Sequence, residues 1–410
     1  MANTLQLGNG KWATGKDTVL AFNDTNNNFK PLPFSFSRAS SATVVNQSGL
    51  IETVGSGEPR IDFLGNTKGA LLLEPTRTNM VEYSEDGTQW GTINTTVSLT
   101  TDSTSPSSQS SVYKVNDDAN DAQHRVDVRP SLTNGTQYTF SAFVKKESNS
   151  DVDFVYLLFS SNFSTTRFYF NIEEGTSLDS GGIIENYENG WYKISGKATA
   201  NSSGNGVLGV NLSNANNNNT YSGTGNGSIF VWGLQLESNA SYATSYIPTS
   251  GSAVTRVADS CDNGGNDQVI NSTEGVFYVE LSTLASDSVE RFVSLSNGSV
   301  LNRVSLWYYA ATNGLAVAVY SGNVAQFFTT TVLANDTLNN KIAIKYKLND
   351  FSLVINGVVI ATDTNGNAPI ELNKLSFNKG DGNLPFYGNI KDVRVYNTAL
   401  TNAELQALTQ

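Results

Sequence analysis

The sequence is nearly empty of the residues that carry most catalytic and metal chemistry. It has one cysteine, Cys261, so no intrachain disulfide and no cysteine-cluster zinc site can form. It has one histidine, His124, which all but removes a Ser-His-Asp triad and a two-histidine metal site. Basic residues are scarce: 25 Lys and Arg stand against 37 Asp and Glu, a net charge of -12. That balance argues against a protein held on nucleic acid or anionic lipid by a basic surface. No segment approaches the roughly 18 uninterrupted apolar residues of a spanning helix, so membrane insertion is not expected. The first ten residues, MANTLQLGNG, show no positive segment followed by an apolar run. The expectation is a chain without a secretory leader that folds in a reducing cytoplasm.

What the chain has in abundance is aromatic and turn-forming residues. The 20 Phe, 17 Tyr and 35 Gly favour strands and tight turns over helices. A length of 410 residues predicts two or three domains at about 150 residues each. Residues 1–33 are loop-rich, with a polar run at Asn23–Asn28 and a stiff Pro31-Leu32-Pro33, and read as an N-terminal arm. Residues 34–79 hold short extended pieces. Thr43–Val45 and Leu50–Val54 around the turn Asn46–Gly49 predict a hairpin, and Leu71–Leu73 a buried strand.

Residues 80–259 alternate in the strand period. Tyr138–Val144, Phe154–Phe159, Arg167–Ile172, Trp191–Ser195 and Ile229–Glu237 are predicted strands between Gly, Asn and Ser loops. In the last of them the period places Phe230, Trp232, Leu234 and Leu236 on one face. A polar seam at 256–275 leads into a second strand series, 260–410, which includes the hairpin Phe351–Ile355 and Val358–Ile360 around Asn356-Gly357. Thr401 and Glu404 fit a capping box for one short C-terminal helix, with Leu400 and Leu405 placed as a hydrophobic staple. The predicted fold is all-β: two antiparallel β-sandwich (jelly-roll) domains after an N-terminal arm.

Several blocks carry a resemblance. Phe34–Thr43, Gly49–Glu52, Pro59–Phe63 and Leu71–Asn79, with Tyr246–Thr249 and Val254–Asp259, are together similar to virion proteins of tailed bacteriophages, those of tails, fibres and appendages. The pattern covers roughly residues 5–260 and is fairly specific taken whole. The region between the blocks resembles a carbohydrate-binding-module β-sandwich. Phe351–Gly357 and Tyr387–Thr401 resemble the laminin-G-like, or concanavalin-A-like, lectin fold. That ending is specific for fold and weak for activity, because such folds serve sugar binding, protein binding and plain structure. The resemblance implies residues 1–33 for virion attachment, 34–79 as a linking segment, 80–259 as the carbohydrate-module-like sandwich and 260–410 as the lectin-like sandwich.

A sugar site needs an aromatic face for the apolar side of a pyranose and polar groups for its hydroxyls. Trp307, Tyr308 and Tyr309 are consecutive, so both faces of that strand are aromatic and at least one ring looks outward. The plainer arrangement has Trp307 and Tyr309 in the core and Tyr308 exposed. Trp191 and Tyr192 after Asn189-Gly190 form the second set, with core packing as the alternative. Trp90 and Trp232 are assigned to packing. Asp117, Asp118, Asn120 and Asp121 crowd oxygen ligands into one loop, as a structural Ca2+ site requires. The same run also reads as a solvated acidic loop. Glu173, Glu174, Glu185 and Glu188 are the visible acids for carboxylate-pair glycoside hydrolysis. Arg38, Arg60, Arg77 and Arg256 fall in the phage-like blocks, where bidentate contacts would lock 34–79 and 246–259 onto the first sandwich.

The expected protein is a non-enzymatic virion component of a tail fibre or surface appendage, assembled in the bacterial host cytoplasm and adhering to host-surface polysaccharide. Its expected partners are other virion proteins and further copies of itself, a trimer suiting a fibre, with no nucleic acid. A capsid-decoration or purely structural protein and a polysaccharide depolymerase are the alternatives.

Overall fold

The computed structural model describes residues 2–22, 31–109, 112–309 and 313–410. The polar run Asn23–Asn28 lies outside the described residues. The chain forms two compact units. One comprises residues 1–41, 54–75 and 257–410, and the other 42–53 and 76–256. Both are antiparallel β-structures, and the short helix Asn402–Leu408 at the C-terminus is the one α-helix among the described residues.

The unit of residues 42–53 and 76–256 is a sandwich of two six-stranded sheets. One is built outward from Val207–Ser213, with His124–Val128 and Phe154–Ser160 on its sides. The other is built around Ser228–Ser238, with Val112–Asp117 and Gln137–Lys146 on its sides. Val126, Val155, Leu157 and Val210 from the first meet Val115, Phe140, Ile194 and Val231 from the second in one core. The expected hairpin Ala42–Val45 with Ile51–Val54 forms. Asn46 Oδ1 accepts from the Ser48 and Leu50 backbones at 2.9 and 3.1 Å, and Gly49 takes φ +76°.

One expectation fails in this sheet for a clear reason. Phe230, Trp232, Leu234 and Leu236 do not share a face. Gly233 adopts φ +64°, and the register against Gln137–Lys146 slips between Ser141 and Phe143. Such a bulge adds a residue and inverts the alternation beyond it. Ile229 and Val231 face the core before it, and Leu234 and Leu236 after it.

The other unit differs from the expected boundaries. Residues 1–33 are not a separate arm, and 34–79 is not a separate linker. Leu5–Gly8 and Ala70–Leu73 both pair with Gly388–Tyr396, and so become strands of the eight-stranded sheet that holds Glu274–Thr283, Asn340–Lys347 and Phe351–Ile355. Leu5, Leu7, Phe34, Phe36, Leu71 and Leu73 are buried in the same core as Phe277, Leu306 and Val393. Removing these apolar side chains from water is the physical reason the N-terminal segments join this unit. The Asn356-Gly357 hairpin is present, with φ +47° and +81°. The capping box is present too, and Leu400 and Leu405 pack with Val276, Tyr278 and Val354 on the outer side of the eight-stranded sheet.

The arginines lock, two of them away from the first sandwich. Arg38 donates to Asp259 at 3.0 Å and to the carbonyls of Gly55 and Glu58 at 2.6 and 2.9 Å. Arg60 is fully buried, 2.5 Å from Glu74, and also pairs with Asp259. Burial works against the Arg60 charge, but Glu74 and Asp259 outweigh it and raise its proton affinity. Two cations and two anions thus neutralise one another inside the unit of residues 1–41, 54–75 and 257–410, not on the first sandwich. Arg256 and Arg77 hold to the first sandwich as expected, Arg256 donating to Ser245 Oγ at 2.8 Å and Thr244 Oγ1 at 3.2 Å, and Arg77 lying over the Tyr242 ring.

Candidate functional site: an open aromatic row

The five-stranded sheet of the 257–410 region runs Val324–Val332, Gly314–Ser321, Arg303–Tyr308, Arg291–Ser296, Lys374–Ser376. Its inner face supplies Val293, Leu295, Val304, Leu306, Val317 and Val319 to the core. Alternation sends the other residues outward. Phe292, Trp307 and Ala316 are cross-strand neighbours on that outer face. Phe292 and Trp307 stack with centroids 4.8 Å apart and planes 9° apart. Phe328 continues the row 6.2 Å from Trp307 and is 56% exposed. Small residues flank the rings. Ser294, Ser305, Ala316 and Ala318 are buried, and so is Phe292 at 3% exposure, so the row is covered at that end and opens through half-buried Trp307 to Phe328.

One side of this face is covered and rimmed by residues 378–383. Ser294 Oγ donates to the Asn378 carbonyl at 2.8 Å, and Asn378 Oδ1 accepts from the Gly380 and Gly382 backbones at 2.7 and 3.2 Å. Lys379 Nζ lies 5.6 Å from the Phe292 ring centre. Asp381 accepts from the Asn383 side chain and backbone, both at 3.0 Å, and these bonds hold its carboxyl below the usual range. Across the sheet, Arg303 lies 4.1 Å over the Tyr320 ring. The arrangement is an aromatic row open at Phe328 and Trp307 and bordered by an ammonium, a guanidinium and a carboxylate. It can take an extended ligand with one apolar face and hydroxyls along its edge.

The structure separates the consecutive aromatics differently from the plainer arrangement. Trp307 is half-buried on the outer face, and Tyr309 is half-buried just past the strand end. Tyr308 points inward, 2% exposed, 6.3 Å from Phe386. Burial pushes its phenol well above the ordinary value. Tyr308 is therefore withdrawn as a ligand contact. Trp191 is withdrawn as well: it is wholly buried and its Nε1 donates to the Thr104 carbonyl at 2.8 Å. Tyr192 is half-buried against the core of its own sandwich, its ring close to Gly175, where a Cβ would come within 2.7 Å.

The acidic loop does not converge on a cation. Asp117 turns inward and accepts from Tyr221 Oη at 3.1 Å, from the Gly227 backbone at 3.1 Å and from the Thr224 backbone at 3.3 Å. Asp118 accepts from the Asn120 backbone at 3.0 Å, and Asp121 is exposed. Among the described residues no three His, Cys, Asp or Glu side chains are grouped to hold a metal ion. His124 is fully buried, and its two ring nitrogens face the Asn94 and Tyr221 carbonyls at 2.7 and 3.1 Å. Of the acids considered for hydrolysis, Glu173 is paired with Lys146 at 2.7 Å and Glu185 lies 3.9 Å from Lys193.

Phe292 and Phe328 were not found from the sequence. The signal existed for Phe328: it follows Phe327 in a strand, so one of the pair must face outward, as with Trp307 and Tyr308. Phe292 carries no such mark, because only the pairing register shows that it lies beside Trp307.

Residues 277–406 match the family described as the concanavalin A-like lectin/glucanases superfamily. No curated protein matches. Among solved structures, the chain is similar to the CBM40 of the Ruminococcus gnavus IT-sialidase bound to α2,3-sialyllactose (20% identity, 36% of this chain and 94% of that one, TM-score 0.31). It is also similar to domains LG4-5 of the mouse laminin α1 chain (8% identity, 70% and 89%, TM-score 0.25). A third likeness is to the CBM22 tandem of Paenibacillus barcinonensis Xyn10C (9% identity, 81% and 98%, TM-score 0.27).

Proposed function

We propose that this chain is a non-enzymatic virion protein of a tailed bacteriophage, part of a tail fibre or surface appendage, and that it binds host-surface glycans through the Phe292–Trp307–Phe328 row. The observation that carries the binding reading is this row of three rings, which runs from buried Phe292 through half-buried Trp307 to exposed Phe328 and is edged by Lys379, Arg303 and Asp381. The lectin/glucanase description of the family matching residues 277–406 supports it, and the phage-like blocks in 34–79 and 246–259 support the particle. Each site binds weakly, because sugar hydroxyls exchange water bonds for protein bonds at small net gain. Several copies of the chain in one assembly supply avidity.

The test is a glycan array probed with the full chain on a multivalent support, beside Trp307→Ala. Binding to host polysaccharide that disappears in the variant supports the reading. Silence of the wild type at high valency assigns the chain to a structural or decoration role. Release of reducing ends from the polysaccharide assigns it to depolymerisation. Labelling the chain in purified particles decides whether it is a virion protein.

A further inference from the structure

The sandwich of residues 76–256 has its own open cleft, and it is electrostatically unlike the aromatic row. The cleft has a volume of about 820 Å³ and lies on the outer face of the sheet built on Ser228–Ser238. Register defines its floor. Lys114 pairs with Phe230 on one side and Lys145 pairs with Phe230 on the other, so two lysines flank one ring across three strands. The next row is Asn116 and Ser228, closed by Glu147, whose carboxylate accepts from Ser228 Oγ at 3.3 Å. Asn226 and Asp102 stand at the rim.

The lysines differ in how they are satisfied. Lys146, which also lines the cleft, is held by Asp153 at 2.6 Å and Glu173 at 2.7 Å. Lys114 is 3.7 Å from Glu147. Lys145 is half-buried and makes no ion pair or hydrogen bond through its ammonium among the described residues. Burial alone acts on it and lowers its proton affinity. In a chain with 37 acids and 25 bases, an uncompensated, partly desolvated cation is costly and calls for an anion. The flanking Phe230 is itself buried, consistent with the lysine stems lying over it and their heads reaching into the cleft.

We propose that this cleft is a second ligand site, for anionic polysaccharide, with Lys145 as the anchor for an acidic group and Lys114 for the next. Two strand spacings put the lysine backbones about 10 Å apart, comparable to the length of a disaccharide, so charged groups on alternate sugars of one chain reach both. Asn116, Asn226 and Ser228 supply donors and acceptors for the hydroxyls between. The overall negative charge of the protein does not forbid this, because beyond about 8 Å exposed charges are screened at physiological salt. The site shares no residue with the Trp307 row.

Affinity electrophoresis of the full chain through gels containing polygalacturonate, its carboxyl-reduced neutral form, dextran sulfate or single-stranded DNA tests the proposal. The wild type is retarded by polygalacturonate or dextran sulfate, and not by the neutral polymer. Lys145→Gln weakens that retardation at least about tenfold, the scale for losing a close charged contact. Lys145→Arg keeps it, Lys114→Gln weakens it less because Glu147 already occupies Lys114, and Trp307→Ala leaves it unchanged. Melting curves matching wild type show that the variants are folded. Retardation that survives Lys145→Gln, vanishes in Trp307→Ala or is equally strong with DNA overturns the proposal, as does no retardation by either anionic polymer.

Discussion

Each sandwich carries an aromatic row on the outer face of a sheet, and the two rows have opposite fates. In the unit of residues 76–256, Phe143, Trp232 and Tyr246 meet edge to face or tilted, with centroids 4.5–5.9 Å apart. That row is closed by its own chain. Residues 244–249 return across it, tied by Asn79 Nδ2 to the Ile247 carbonyl at 2.9 Å, by the Ile247 backbone to Gln235 Oε1 at 2.7 Å, and by Tyr246 Oη to Ser84 at 2.7 Å and Glu85 at 2.9 Å. In the 257–410 region, residues 378–383 cover only the Phe292 end of the row, Trp307 is half-buried, and Phe328 stays open. Aromatic content therefore does not mark a site; the missing cover does. The Tyr246–Thr249 block is, in physical terms, the strap of the closed row.

The contrast predicts that substitutions in the closed row cost stability and leave glycan binding alone, and that those in the open row do the reverse. The largest effect is at Trp232. Trp232→Ala lowers stability by about 3–5 kcal/mol, the range for deleting a buried aromatic, read as a shift in the denaturant midpoint, with the affinity of the folded fraction for glycan unchanged. A loss of glycan affinity would break the comparison. A milder pair sharpens it. Trp232 Nε1 is buried with no acceptor among the described residues, whereas Trp191 Nε1 bonds the Thr104 carbonyl. Trp191→Phe is therefore costlier than Trp232→Phe by about 1 kcal/mol, the net value of one hydrogen bond.

Charge obeys the same rule of cover. Arg60→Met strips Glu74 and Asp259 of their shared partner in a fully buried cluster, and breaking such a pair costs about 3–5 kcal/mol. Glycan affinity, measured where the variant is still folded, stays at the wild-type value. Phe328→Ser is the counterpart on the open row. An exposed ring contributes little to folding, so stability moves by no more than about 0.5 kcal/mol, while glycan-array signal falls several-fold.

How much of this was legible in the sequence follows from the range of the interactions. Local signals held: the Asn356-Gly357 turn, the Asn46–Gly49 hairpin and the Thr401/Glu404 capping box each involve residues within a few positions of one another, and all three formed. The strand period located Gln137–Lys146 and Arg303–Tyr308 but not their inward faces. One residue at Gly233 with φ +64° inverted the expected face of Leu234 and Leu236, and the order of Trp307 and Tyr308 came out reversed. No local signal marks the pairing of Leu5–Gly8 with Gly388–Tyr396, because that partnership spans nearly the whole chain. The Lys114–Phe230–Lys145 row was hidden for the same reason: its three members come from distant segments.

The smallest expected effect is a pH dependence, and it again sets a covered group against an open one, both bound up with residues 378–383. Asp262 accepts from Asn378 Nδ2 at 2.5 Å beneath that loop, and burial raises its carboxyl above 3.8. Asp381 lies on the loop, and its bonds to Asn383 lower its carboxyl below 3.8. A raised carboxyl contributes stability that is present below its unfolded value and lost as pH rises through the folded one; a lowered carboxyl contributes stability present above its unfolded value and lost as pH falls through the folded one. Relative to wild type, Asp262→Asn should therefore gain as pH rises from about 3 to 6, and Asp381→Asn should gain as pH falls from about 5 to 3. Chemical denaturation at several pH values reads both slopes. Slopes of the same sign would mean that the loop shields the two carboxyls alike, and the distinction between covered and open groups would fail at the rim of the aromatic row.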